Sequence, residues 1–66
     1  LQARKLSEAQ VERLYLEGVA FYTRGEYQLA MANWQKVLEI DKGHEKSSRN
    51  LDKAQRKLQQ LKEKAQ

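Results

Sequence analysis

The sequence predicts an all-α fold of three helices, and three observations carry that prediction. Leu, Ala, Gln, Glu, Lys and Arg are plentiful while Val, Ile and Thr are few, a composition that favours helix over strand. The 66 residues hold no Pro and three Gly, so long stretches can stay helical. Between the glycines, apolar residues recur at intervals of three and four rather than two.

The first helix is expected over residues 7–24. Ser7 and Gln10 fit a capping box, in which a hydroxyl and an amide side chain satisfy orphan backbone N–H groups. Val11, Leu14, Gly18 and Phe21 follow at 3-4-3 spacing, one stripe of an amphipathic helix. Gly25 ends it, because Gly reaches the left-handed conformation that a helix C-terminus often needs. Residues 1–6 read either as the frayed end of an earlier helix or as an extension of this one.

The second helix is expected over 26–41. So short a connection favours an antiparallel pair. Tyr27, Ala30, Met31, Trp34, Val37 and Leu38 mark its buried face, and Asp41-Lys42-Gly43 closes it. The third is expected over 45–65, with Ser47 and Ser48 as caps for its start. Leu51, Ala54, Leu58, Leu61 and Ala65 fall at spacings of 3, 4, 3 and 4, a heptad-like seam. Lys46, Arg49, Lys53, Arg56, Lys57 and Lys64 lie away from that seam on a helical wheel.

The chain is one domain at most. Ordering it costs on the order of 100 kcal/mol, at about 1.5 kcal/mol per residue, and burial must offset nearly all of this. With no Cys, neither a disulfide nor a thiolate-metal site helps, and the redox compartment stays undecided. The net charge of +4 is unevenly spread: residues 1–41 carry −1 and residues 42–66 carry +5. No apolar run approaches the roughly 20 residues of a membrane span. The sequence opens on Leu1 rather than Met, so a piece of a longer protein is expected.

Residues 11–44 span 34 positions, the period of the tetratricopeptide repeat, and their residues resemble that family. Tyr15-Leu16-Glu17-Gly18-Val19-Ala20-Phe21-Tyr22 is similar to the first repeat helix, with Gly18 at the small contact position and Phe21 at the aromatic one. Gly25-Glu26-Tyr27 resembles the family's Gly-Asp-Tyr turn. Ala30 stands at the small position of the second helix, Trp34 at its aromatic position, and Val37, Leu38 and Ile40 form its apolar tail. Leu14 holds the usual Trp position. Glu17 departs from the usual Leu, and Lys42 from the usual Pro. A second repeat begun at Glu45 fails, since it puts Asp52 and Gln55 at the small and aromatic positions. The resemblance therefore implies one repeat hairpin followed by a capping helix, whose seam of Leu51, Ala54, Leu58 and Leu61 covers the hairpin's open edge.

The resemblance also implies a scaffolding module for protein–protein interaction. In this family the first helix lines a concave ligand surface, which maps to Glu12, Tyr15, Val19 and Tyr22. Tyr15 and Val19 stand where relatives carry the basic and Asn residues of a carboxylate clamp, so an apolar segment or helix is the better expected ligand. The competing reading of these residues is packing against a neighbouring repeat or a second copy. About three repeats are usually needed for stability, so the isolated chain is expected to self-associate, as a homodimer or against neighbouring repeats. Two rival functions remain: a purely structural oligomerisation unit using the Leu51–Leu61 seam, and a small basic nucleic-acid binder using Arg49, Asn50, Gln55 and Arg56. The sequence argues against nucleic acid and membrane-surface partners. Asp52 and Glu63 interrupt the basic face, and no aromatic is interleaved to stack on bases. Glu45–Arg49 and Asp52–Arg56 are also spaced to pair within the helix.

No catalytic residue, cofactor or metal site is expected. His44 is the only histidine and is expected to be exposed in a turn. Asp41 and His44 are too few ligands for zinc. Gly18 and Gly25 lack the Gly-Lys-Ser/Thr run of a phosphate loop. Trp34 reads as core rather than as a stacking platform. The repeat style resembles bacterial examples, in cytoplasm or cell envelope, and the compartment is left open.

Overall fold

A computed structural model describes residues 2–65, and residues 7–64 in side-chain detail. Among the described residues the fold is all-α: α1 (Gln2–Thr23), α2 (Tyr27–Ile40) and α3 (Glu45–Ala65). The first helix starts well before Ser7, so the capping box is not formed, and Ser7 lies exposed inside the helix. The reason is local. Residues 2–6 are Gln, Ala, Arg, Lys and Leu, all strong helix formers with nothing to break the turn.

The turn after α1 follows from one glycine. Gly25 has φ of 82°, and a side chain there would meet open space, so the requirement is conformational rather than steric. The Glu26 N–H donates to the Phe21 carbonyl at 2.9 Å and the Gly25 N–H to that of Tyr22 at 3.0 Å. This paired closure is the Schellman motif. Helix α2 then begins with Glu26 as its cap residue, and the Glu26 side chain makes no capping bond. Instead its carboxylate pairs with Arg24 at 3.1 Å.

The core is small and centred on α2. Ala30, Trp34, Val37 and Ala54 are fully or almost fully buried, with Val11 close behind. Tyr15, Val19, Phe21, Tyr22, Tyr27, Met31 and Leu51 pack around the cluster of Ala30, Trp34 and Ala54 at intermediate exposure. Gly18 lets α1 and α2 touch. A Cβ there would lie 2.8 Å from Trp34 Cε2 and 2.9 Å from Cδ1, and closer still to Nε1. The indole N–H donates to the Tyr15 carbonyl at 3.2 Å, which holds the ring across the glycine. Asn33 adds a second tie, donating to the Leu14 carbonyl at 3.1 Å. It also reaches the Glu17 carboxylate at 3.5 Å.

The third helix buries the inner part of the expected seam and adds Ser47 to it. Its most deeply buried residues are small, Ser47 and Ala54, both with no exposed surface. Leu51 and Leu58 are half-buried beside them, while Leu61 is 51% exposed. The cover therefore reaches only to Leu58, and the Ala65 side chain lies outside the described residues. Helix lengths explain this. At about 1.5 Å rise per residue, α2 is roughly 21 Å long while α1 and α3 exceed 30 Å. Helices α1 and α3 run parallel and staggered. The first projects past the C-terminal end of α2 and the third past its N-terminal end, giving a long axis of 51 Å. Both pack on α2 and scarcely meet each other, so the cross-section is an open V with α2 at the apex.

Candidate functional site

The V leaves a groove between α1 and α3. A recess of about 110 Å³ lies in it, lined by Val19 and Tyr22 from α1, Trp34 from α2, and Asn50 and Lys53 from α3. This is far below the roughly 300–1,000 Å³ of a small-molecule pocket and matches a single inserted side chain. Trp34 is both core and floor: it is 1% exposed, yet it borders the recess. Tyr22 is held edge-on against Tyr27 with ring centroids 5.0 Å apart, and it leans on Trp34 at 6.0 Å. Such contacts fix the ring and leave its hydroxyl end as a polar handle.

The groove is narrowed at one end. Asn50 donates to the Tyr15 hydroxyl at 3.4 Å, the side-chain hydrogen bond that joins α1 to α3. The other side of Tyr15 meets His44, with ring centroids 5.3 Å apart. His44 is therefore partly buried rather than exposed. It also replaces the serines as the cap of α3: its Nδ1 accepts the Ser47 N–H at 3.2 Å. Asp41 prepares this position, accepting the Gly43 N–H at 3.1 Å through Oδ1 and the His44 N–H at 3.2 Å through its carbonyl. Neither expected serine cap is in the cap position, because α3 begins at Glu45. Ser47 instead faces the core, and its Oγ is buried without a hydrogen-bond partner.

The four residues singled out for the concave face divide between two recesses, Val19 and Tyr22 in one and Glu12 and Tyr15 in the other. Val19 and Tyr22 line the recess. Tyr15 lies half-buried at the closed end and Glu12 is exposed below it, beside Asp41, His44 and Glu45. Asn50 and Lys53 belong to the groove although their sequence reading was different. The sequence places Lys53 on the basic side of α3 and offers Asn50 as a base reader. The signal that might have found them is the pair of small residues Ser47 and Ala54, seven apart. That pair turns α3 so that Asn50 and Lys53 border the V. Leu16, 52% exposed on α1, extends the apolar surface on the solvent side.

Both predicted helix pairs form on α3. Arg56 meets Asp52 at 2.9 Å and Arg49 meets Glu45 at 3.8 Å, both well exposed, so each stabilises by only a few tenths of a kcal/mol. Among the described residues, no group of three or more His, Asp or Glu is disposed to hold a metal ion. No described helix is long and apolar enough to cross a membrane.

Comparison with known proteins found no matching family model, curated protein or solved structure.

Proposed function

We propose that this chain is a protein–protein interaction module of the tetratricopeptide type, without catalytic activity, whose groove between α1 and α3 receives a segment of another protein. The observation that carries this reading is the make-up of the groove. An indole floor and an apolar-aromatic wall from α1 face an amide and an ammonium from α3 across a recess of single-side-chain size. An apolar side chain entering the recess gains burial against Trp34, Val19 and Tyr22. Asn50 and Lys53 at the rim are placed to fix the orientation of the segment that carries it. The repeat-like details support the family part of the reading. Gly18 is pressed on Trp34, Gly25 adopts positive φ at the turn, and Ala30 is fully buried between helices.

Peptide display against the whole chain, followed by titration of the enriched peptides, tests this. Trp34 is the only tryptophan and borders the recess, so its emission reports occupancy. Enriched peptides should share an apolar anchor. Val19→Glu and Lys53→Glu should each weaken them by about tenfold or more, equivalent to about 1.4 kcal/mol, at unchanged helicity. Failure to enrich any peptide, or binding indifferent to both substitutions, would sink the proposal.

A further inference from the structure

The two overhangs are the parts of α1 and α3 that lack α2 beside them. The seam that buries α3 on α2 does not stop where α2 stops. It runs on through Leu58, which lies against the α1–α2 turn, to Leu61 one turn further, which is half exposed. Lys57, Lys62 and Lys64 flank that stretch against Glu63 alone, and none is in an ion pair among the described residues. At the opposite end, α1 projects beneath α2 and leaves a ledge of about 450 Å³. Val11 and Ile40 give it an apolar floor, with Ile40 41% exposed, and Glu8, Glu12 and Asp41 line it. The last turn of α2, which points its negative end here, holds no basic residue. Lys42 and Lys46 stand outside the ledge lining.

We propose that copies of this chain associate head to tail, with the α3 overhang of one seated on the ledge of the next. Each overhang then receives a helical neighbour in the place where α2 is missing. Among the described residues, charge opposes the symmetric alternatives. Two α3 overhangs face to face bring lysines onto lysines, and two ledges bring carboxylates onto carboxylates. The head-to-tail pairing opposes them, and it continues the interface that α3 already makes. A contact between unlike faces does not close on itself in a pair, so chains lengthen with concentration. The overhangs are short, and the association belongs to the weak class of interfaces that bury less than about 1,200 Å². This inference is independent of the groove, whose residues Val19, Tyr22 and Lys53 it does not use.

The test is sedimentation velocity on the whole chain, from about 10 μM to about 1 mM. The wild type should pass from monomer to dimer and longer species, and about 0.5 M salt should reverse much of this by screening. Leu61→Glu blocks one face and Ile40→Lys the other. Both sites are substantially exposed, and circular dichroism verifies that both variants stay folded. Each alone should remain monomeric, yet an equimolar mixture should give a heterodimer, since each variant keeps the face the other lacks. A wild type that stays monomeric throughout overturns the proposal. So does a dimer that survives Ile40→Lys, which indicates a symmetric α3 contact, or a mixture that fails to combine.

Discussion

The two interfaces made by α2 are built on different principles. Toward α1 it interlocks: the Trp34 ring lies across Gly18, its N–H is bonded to the Tyr15 carbonyl, and Asn33 grips the Leu14 carbonyl. Toward α3 it meets small residues and half-buried leucines, with an unpaired hydroxyl trapped at Ser47. The first interface is specified by shape and hydrogen bonds together, the second mainly by burial. A contact of the first kind admits one arrangement. A contact of the second kind tolerates adjustment, which suits a helix that forms one wall of a groove.

The sharpest way to break this contrast is Gly18→Ala. The added methyl must displace the Trp34 ring, and a loss of about 3 kcal/mol is expected. In a domain whose stability rarely exceeds about 3–5 kcal/mol, that is close to unfolding. Urea denaturation followed by circular dichroism measures it. A loss below about 1 kcal/mol would mean that the interlock is softer than described. Trp34→Phe comes next. It removes the indole N–H bond and part of the ring volume, for an expected loss of about 2 kcal/mol in the same assay. His44→Ala removes the cap of α3 and should cost about 1 kcal/mol. Amide hydrogen exchange should locate the effect in the first turn of α3, and His44→Asn should recover part of it. The smallest effect tests the second interface. Ser47→Ala deletes the buried orphan hydroxyl and raises helix propensity, so a gain of up to about 1 kcal/mol is expected. A clear loss there would show that the hydroxyl has a partner.

These residues differ in how visible they are from sequence. Gly25 is legible because positive φ is a local demand that one residue type meets at little cost. Trp34 and Ala30 are legible through apolar periodicity. His44 is not, because imidazole lies outside the usual set of capping side chains, and its role depends on the Asp41 turn that delivers it to the start of α3. The start of α1 follows the second of the two readings open for residues 1–6, an extension of the helix rather than a cap at Ser7. Ser7 and Gln10 carry a local capping signal, but the preceding residues have no reason to leave the helix. On α3, the seam of Leu51, Ala54 and Leu58 is legible from its 3-4 spacing, while the burial of Ser47 beside it is not. Asn50 and Lys53 border the groove, a placement their spacing on α3 does not announce.

The sequence by itself determined three helices, their antiparallel order and the positions of both turns, because composition, periodicity and glycine conformation act within a few residues. Only the tertiary structure decided the rotation of α3 about its own axis, and with it the groove, the His44–Tyr15 contact and the two overhangs. The physical reason is that rotation and stagger follow from how side chains distant in the chain fit together. Ser47 and Ala54 are buried by residues far away in the chain, and the difference in helix lengths leaves each end of the molecule partly uncovered.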